Sequence, residues 1–267
     1  MAVDVLDAAD RANRAAYRAF AERSGGHVAE RDGLTFVVGA HPSPIITNVA
    51  WRMDAAVAAA DIPEAVTRFY AELDHVGSVM TAEHLDADIE TLLVTLGWHS
   101  IRLPGMVAPR RLAEEGAPAD ARLRWVRPDA DLADFRRVVQ AGFADSDEER
   151  EVVATVFGRP ESLGGKSAAA VVSVDGVDAA AAMVLVLDEA AVVGWVATVP
   201  DHRRRGLGAF VTRAVTNKGF DLGASFATLQ ASRMGHGVYE RLGYRDVATY
   251  RVWLPPGWSP RGPDEPR

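Results

Sequence analysis

A strand-to-helix junction between residues 190 and 215 constrains the fold of this chain more than any other segment. Residues 190–199 are almost wholly apolar, a pattern typical of a strand buried on both faces, and Pro200 ends it. Apolar residues then recur at helical spacing between Leu207 and Val215. The sequence therefore predicts a buried strand that leads through a short turn into a helix, as in α/β sheet proteins.

The turn between strand and helix combines cations with glycines. It carries arginines at positions 203, 204 and 205 and glycines at 206 and 208. The first turn of a helix offers unpaired backbone N–H groups and about half a positive charge, and glycine lets an anion approach the backbone closely. We therefore predict a polyanion site. Two nucleotide motifs do not fit, because residue 211 is Val where G-x-G-x-x-G needs Gly, and G-x-x-x-x-G-K-[ST] is missing from the sequence.

Two sequence blocks resemble those of the GCN5-related N-acetyltransferases (GNATs). Arg203, Gly206 and Gly208 match the acetyl-CoA signature R/Q-x-x-G-x-G/A, and the preceding V-x-P is represented by Pro200 with Thr198 at the aliphatic position. A second block, Y-x-x-x-G-[FY], is matched by residues 239–244 at the expected distance. Two blocks in the right order argue against chance agreement.

The resemblance implies acetyl-CoA as the cofactor. The turn would hold its pyrophosphate, the edge of the preceding strand would pair with the pantetheine amides, and Tyr239 would protonate the departing sulfur. A phenol with a pKa of ~10 stays protonated at pH 7, and a thiol pKa of ~8.5 makes that transfer nearly balanced. Many relatives carry Asn seven residues before the tyrosine, where this chain has Ser232. The implied cofactor-binding residues are Val196, Ala197, Thr198, Arg203, Arg204, Arg205, Gly206, Leu207, Gly208, Ala209 and Ser232.

The acceptor and the general base are less well defined by the sequence. Glu148, Glu149 and Asp145 are candidate bases, although such an acidic run is more often a solvated loop, and a water relay is an alternative. His202 is expected to contact solvent or coenzyme, and the histidine spacing predicts no metal site. Tryptophans could line an acceptor pocket, Trp195 foremost because it shares the strand that would carry the thioester. The tryptophans considered are Trp51, Trp98, Trp125 and Trp195.

Composition excludes several classes of protein. The chain of 267 residues is 48% hydrophobic with a net charge of −8, which argues against general nucleic-acid binding and favours a neutral or cationic acceptor. It has no cysteine, so disulfides and an acetyl-cysteine intermediate are ruled out. Neither a membrane span nor a secretory signal is recognisable, and we expect a cytoplasmic location. Oligomeric state is left open.

Hydrophobic patterning predicts a mixed α/β chain of two GNAT-like domains, each a twisted mixed sheet flanked by helices. We assign residues 1–117 to a degenerate N-terminal domain, 121–256 to a cofactor-binding domain with the element order β-α-α-β-β-β-α-β-α-β, and 257–267 to a loose tail. The segments that begin Leu96-Gly-Trp and Leu242-Gly-Tyr each close a helix and open a strand. The first half carries residues 53–61, without glycine or cation, where the second carries the arginine-glycine turn.

These features favour an acetyl-CoA-dependent N-acetyltransferase that transfers acetyl directly to an amine, with a small-molecule acceptor. Transfer of another acyl group or to a protein amine is an alternative. Because no base is evident, a non-catalytic CoA-binding sensor or interaction protein is a further one.

Overall fold

The computed structural model describes residues 2–44, 46–143 and 146–259, except for the side chains of residues 2–4. The helices are α1 (Ala2–Ser24), α2 (Ile62–Ala71), α3 (Ala87–Thr95), α4 (Pro128–Phe143), α5 (Asp147–Val156), α6 (Leu207–Asp221) and α7 (His236–Leu242). The strands are β1 (His27–Arg31), β2 (Leu34–Val38), β3 (Val49–Arg52), β4 (Ser78–Ala82), β5 (His99–Ala108), β6 (Ala121–Trp125), β7 (Ser167–Val174), β8 (Val177–Leu187), β9 (Ala190–Thr198), β10 (Phe226–Gln230) and β11 (Arg245–Leu254).

The described strands form one mixed sheet that runs through both halves of the chain. Its order is β1-β2-β3-β4-β11-β5-β10-β9-β8-β7-β6. The pairs β3–β4 and β9–β10 are parallel, and the others are antiparallel. The predicted mixed sheet and the predicted order of elements in the second half are confirmed.

The final strand of each half crosses into the sheet of the other half. β5 lies between β11 and β10, and β11 lies between β4 and β5. The two crossing strands pair with each other antiparallel from Arg245 opposite Val107 to Leu254 opposite His99. The helix-closing glycines noted in the sequence, Gly97 and Gly243, have φ of 75° and 102° and lead into these two strands. The repeat therefore marks an exchange of strands about the centre of the sheet, while the boundary at residues 117–121 stays a prediction.

Side chains on both faces of the sheet form the core of the second half. One cluster fills the space between the sheet and α6, with Val184, Val211 and Val215 at its centre. The opposite cluster lies under α4 and α5 and includes Phe135 and Phe157. These two layers fix the ends of α4 and α6 at the same edge of β9.

Helix α1 lies against strands of both halves. It contacts β1, β2, β9 and β10. Tyr17 Oη donates to Gln230 Oε1 at 2.9 Å on the β10 side, and Arg18 lies 5.8 Å from the ring centroid of Trp51 in β3. None of the helices in the described ranges combines the length and apolarity needed to cross a membrane.

Candidate active site

Strands β9 and β10 separate partway along their length. Their parallel pairing ends where Val192 lies opposite Thr228, yet β9 continues to Thr198. β10 stays paired with β5 on its other side, from Ala227 opposite Ala108 to Gln230 opposite Gly105. A wedge therefore opens between the two strands at their carboxyl ends, where α/β proteins commonly bind ligands.

A β-bulge lies in β9 at this wedge. The register against β8 passes from Met183 opposite Gly194 to Ala181 opposite Ala197, so one extra residue of β9 falls between these pairs. Trp195 has a φ of 54°, which is rare for a residue other than glycine. Bulges leave backbone groups outside the ladder and occur often beside active sites. The bulge thus provides a place where a backbone N–H can face a ligand carbonyl.

The prediction that residues 190–199 are buried on both faces holds only in part. Val193 is buried in the cluster under α6, whereas Trp195 and Ala197 are buried in the cluster under α4 and α5, because the bulge between them changes the face to which the side chains point. The residues at positions 192, 194, 196 and 198 are only partly buried, and β10 no longer pairs with β9 beyond Val192.

The arginine-glycine turn presents a run of backbone donors. Among the described residues, no acceptor is within hydrogen-bond range of the backbone N–H groups of residues 204–209. Gly206 is the N-cap of α6 with a φ of 77°, a conformation that favours glycine. A Cβ at Gly208 would lie 3.3 Å from Thr198 Oγ1, so this glycine lets the strand end approach the helix closely. The predicted cofactor residues from Val196 to Ala209 are therefore contiguous around the wedge.

The three arginines of the turn have different roles. Arg203 binds back onto the protein, with Nε donating to the Thr198 carbonyl at 3.2 Å and Nη2 donating to the Gly142 carbonyl at 3.1 Å. Arg204 and Arg205 are exposed, and Arg205 Nη1 lies 3.2 Å from His202 Nδ1. Arg203 therefore braces the turn, and the other two arginines supply its positive surface.

Gly142 sets the distance between α4 and the end of β9. A Cβ at this position would lie 2.8 Å from both the N and the C atom of Thr198. Because these are backbone atoms, an added methyl group would displace either the strand end or the helix. Sequence reasoning missed this contact, since a glycine near a helix end is usually explained by the helix alone.

Tyr239 lies on α7 with its ring against Gly235. The ring is 8% exposed and stacks edge-on against Tyr244 with centroids 6.1 Å apart. A Cβ at Gly235 would lie 2.7 Å from Tyr239 Cε2, so glycine leaves room for the ring. Burial raises the pKa of Tyr239 to about 12. An ordinary phenol has a pKa of ~10. The higher pKa of Tyr239 makes full proton transfer from its hydroxyl to a thiolate unfavourable, which favours hydrogen-bond donation by that hydroxyl instead.

Ser232 lies at the wedge, and its hydrogen bonds stabilise the turn before α7. Its Oγ accepts from the Gly235 N–H at 3.1 Å, and its carbonyl accepts from the N–H of His236 at 3.0 Å. The hydroxyl proton can still be donated to a ligand. The residue is exposed.

A cavity of about 360 Å³ adjoins the wedge. Its walls come from α1, residues 44, 46, 47 and 49, the two crossing strands, α5 and the bulged part of β9. Trp195 lines it, and the rings of Phe20, Phe143 and Phe157 surround the indole at 5.8, 5.5 and 4.8 Å between centroids. The cavity volume is within the range of small-molecule sites.

The other tryptophans do not line this cavity. Trp51 and Trp98 are packed in the core of the first half. Trp125 lies on the edge strand β6, with Lys218 Nζ 5.6 Å from its ring centroid. Of the four candidate tryptophans, Trp195 therefore lines the cavity, because it lies on the strand that reaches the wedge.

One of the candidate bases lines the cavity. Glu149 lines it and closes a capping box at the start of α5, in which Glu149 Oε2 accepts from the Ser146 N–H at 3.0 Å. Glu148 is buried away from the cavity walls, and Asp145 lies outside the described residues. Sequence alone did not separate these acids, because only the fold shows which of them faces Trp195.

The equivalent wedge of the first half is closed by an ion-pair cluster. The Arg52 guanidinium lies at the end of β3, 3.2 Å from Asp86 and 2.8 Å from Asp88. It also donates to the carbonyls of Val57 and Leu85 at 3.3 and 3.1 Å. Its hydrogen bond lowers the pKa of Asp88. The cluster joins the loop after β3 to the segment before α3 and fills the space between them.

The turn of the first half also lacks the donors of the second. The N–H groups of Met53 and Asp54 both donate to the Gly33 carbonyl, and the Asp54 carboxylate accepts from the Ala56 N–H at 2.8 Å. Asp61 precedes α2, so negative charge stands at the helix start. An anion would be repelled there.

Comparison with known proteins supports the resemblance to GNATs that the sequence indicated. Residues 172–254 match the family described as FR47-like protein. No curated protein shows significant sequence similarity to the chain. A GCN5-related N-acetyltransferase from Kribbella flavida superposes with a TM-score of 0.69 at 23% identity, over 87% of this chain and 90% of that one.

Two further solved structures share the arrangement over most of the chain. A GCN5-related N-acetyltransferase from Sphaerobacter thermophilus has a TM-score of 0.58 at 14% identity, over 88% of this chain and 89% of that one. A tandem GNAT protein from the clavulanic acid biosynthesis pathway has a TM-score of 0.54 at 14% identity, over 87% of this chain and 79% of that one. The chain therefore has the GNAT fold, and its resemblance to that family is confirmed at the level of the fold.

Proposed function

We propose that this chain is an acetyl-CoA-dependent N-acetyltransferase that acetylates a small-molecule amine by direct attack. The observation that carries the proposal is the wedge between β9 and β10, which opens beside consecutive N–H groups at the start of α6 that have no acceptor among the described residues. GNAT-fold neighbours support acetyl transfer in general.

The cofactor would extend from the turn into the wedge. Backbone N–H groups of residues 204–209 would bind the pyrophosphate, with Arg204 and Arg205 adding positive charge. The edge of β9 from Val196 to Thr198 would pair with the pantetheine amides. The thioester would then lie beside the bulge at Trp195, whose displaced backbone supports stabilisation of the oxyanion.

Two side chains are suited to the proton movements of the reaction. The amine nitrogen attacks the thioester carbon, a C–N bond forms, and the C–S bond breaks. Glu149, which lines the cavity, is suited to accept the proton that the amine loses. Tyr239, with its raised pKa, is suited to donate a hydrogen bond to the departing sulfur. No cysteine is present in the sequence, so this chain's own thiol cannot relay the acetyl group.

The first half is proposed to have no cofactor site. The Arg52 cluster fills its wedge, and its turn carries Asp54 and Asp61 where an anion would bind. This half instead contributes walls to the acceptor cavity through residues 44, 46, 47 and 49 and through β5.

Acetyl-CoA is expected to stabilise the chain against thermal unfolding. At 100 times its Kd it should add about 2.7 kcal/mol to the free energy of unfolding. Reversing the charge of Arg204 and Arg205 together to Glu should weaken binding about 5- to 30-fold, because each exposed pairing is worth up to about 1 kcal/mol and reversal adds repulsion. Differential scanning fluorimetry with increasing acetyl-CoA measures both effects.

Arg68→Glu provides the control, since its side chain is 65% exposed on α2 of the first half. This variant should show the same rise in unfolding temperature with acetyl-CoA as the wild type. Release of free CoA thiol with an amine panel then separates an enzyme from a CoA-binding sensor. If acetyl-CoA does not raise the unfolding temperature, both the enzyme and the CoA-binding sensor are contradicted.

Gly142→Ala is expected to weaken acetyl-CoA binding. Its methyl group would force apart Gly142 and Thr198, and overpacking of this kind costs about 1–3 kcal/mol of folding stability. Thr198 ends the strand edge that would pair with the pantetheine amides, so its displacement should also weaken acetyl-CoA binding. Calorimetric titration with acetyl-CoA measures the change. Gly116→Ala is the matched control, because no atom lies within 4 Å of a Cβ there. Equal affinities for the two variants would show that the α4–β9 distance does not set cofactor binding.

A further inference from the structure

We infer that the acceptor is an apolar monoamine, an arylalkylamine in its simplest form, which carries no carboxylate or phosphate. The inference rests on the proposed function and adds the chemical class of its acceptor. It is carried by the walls of the cavity that adjoins the wedge.

The walls that face the acceptor are mostly apolar. The two crossing strands contribute Ile101 and Leu103 from β5 and Val252 and Leu254 from β11. Ile101 and Val252 lie directly opposite each other in the ladder, so the strands present one continuous apolar surface. This surface and the aromatic residues around Trp195 line the same cavity, which therefore extends from the bulge to the centre of the sheet.

Several polar side chains that line the cavity are hydrogen-bonded within the protein. Tyr17 donates to Gln230 at 2.9 Å, and Asn13 Nδ2 lies 3.5 Å from Thr228 Oγ1. Ser78 Oγ donates to the Asn48 carbonyl at 3.0 Å. An acceptor rich in hydroxyl groups would have to break these bonds or leave its own groups unsatisfied, which is costly in a buried site.

The charge of the cavity excludes anionic acceptors. None of the described residues that line it is Lys, Arg or His, and its carboxylate is Glu149. A buried carboxylate or phosphate without a counter-charge is strongly disfavoured. The positive residues of the arginine-glycine turn lie on the cofactor side and do not line the cavity.

Three amines test this inference with the purified chain and acetyl-CoA. 2-Phenylethylamine has the apolar body, phenylalanine adds a carboxylate to the same skeleton, and ethanolamine lacks the apolar body. We expect kcat/KM for 2-phenylethylamine to exceed that for either of the others by at least about 100-fold, since the unpaired carboxylate or the lost apolar contact is penalised. An equal or higher value for phenylalanine or ethanolamine would overturn the inference.

A variant that places a cation in the wall gives a second test. Ile101 is 49% exposed, so Ile101→Arg can be accommodated at the cavity mouth. The ratio of kcat/KM for phenylalanine to that for 2-phenylethylamine should rise about 10-fold or more, because a guanidinium pairs with the carboxylate. Val94→Arg on α3, 65% exposed and outside the cavity, should leave the ratio unchanged. An unchanged ratio in Ile101→Arg would contradict the assignment of this wall to the acceptor.

Direct binding separates this inference from the proposed function. The same amines are titrated calorimetrically into the chain with and without CoA. If 2-phenylethylamine binds and Ile101→Arg weakens it, but no amine releases CoA thiol, transferase activity is wrong and the apolar site stands. If 2-phenylethylamine neither binds nor reacts, the acceptor class is wrong, whatever the result with acetyl-CoA alone.

Discussion

Replacing Tyr239 with Phe is expected to lower kcat by about 10²–10⁴-fold, the usual contribution of a positioned proton or hydrogen-bond donor. The substitution removes one hydroxyl group and keeps the ring that packs against Gly235 and Tyr244. That hydroxyl makes no hydrogen bond with another described residue, so its loss should leave folding stability unchanged. Steady-state CoA release and thermal unfolding of the variant measure the two quantities.

Tyr244→Phe is the matched control in the same core cluster. Tyr244 is fully buried and its Oη lies 2.7 Å from Thr216 Oγ1, so this variant should lose about 1 kcal/mol of stability and keep its turnover. The two tyrosines should therefore show opposite effects. Wild-type kcat in Tyr239→Phe would remove Tyr239 from the mechanism.

The pH dependence follows from the direction of the Tyr239 shift. Burial raises its pKa to about 12, so the hydroxyl stays protonated from neutral pH to well above pH 10. Tyr239 should therefore contribute no basic limb to the kcat profile in this range. A limb that disappears in Tyr239→Phe would show that the residue titrates lower than its burial implies.

Local sequence patterns predicted the elements of the fold and failed to predict how distant strands pair. Helix closure at Gly97 and Gly243 and the strands that follow were visible because glycine and apolar periodicity act within a few residues. The exchange of β5 and β11 was not, because it depends on pairing between segments more than a hundred residues apart. Each half looked complete in sequence although its sheet contains a strand of the other.

The same contrast applies to the candidate site. The turn from Arg203 to Gly208 was recognisable, because helix-start chemistry needs glycines and cations at adjacent positions. The bracing role of Arg203 was not, since it depends on the carbonyl of Gly142, which is far away in sequence. For the cavity beside the wedge, the sequence indicated Trp195 but not the remaining walls, because these come from segments spread from α1 to β11.

The closed wedge of the first half explains why two similar halves can share one site. A tandem arrangement provides two wedges, yet Arg52 fills one with ion pairs while residues 204–209 keep the donors of the other unpartnered among the described residues. Strand exchange joins the halves through the centre of the sheet. Under the proposed function, the half without a cofactor site becomes part of the wall that faces the acceptor, which gives a physical reason to retain it.

Replacing Glu149 with Gln is expected to lower kcat/KM by about 10²–10⁴-fold if its carboxylate accepts the proton of the attacking amine. The substitution is conservative for the fold, because Gln at the third position of a capping box can still bind the N–H of Ser146. Thermal stability and acetyl-CoA affinity should therefore stay near wild type while acetylation of 2-phenylethylamine falls. Glu149 is suited to this role because, among the described residues lining the cavity, it supplies the carboxylate.

Glu151→Gln tests whether the effect belongs to that carboxylate or to the charge of α5. Glu151 lies on the same helix, 3.5 Å from His41, and does not line the cavity. Its replacement removes the same unit of charge and should leave kcat/KM within about 2-fold of wild type, because exposed charges at a distance are screened. An equal loss in both variants would assign the effect to the electrostatic field of α5. Full activity in Glu149→Gln would instead assign the proton to a water path, since the described cavity walls offer no second carboxylate.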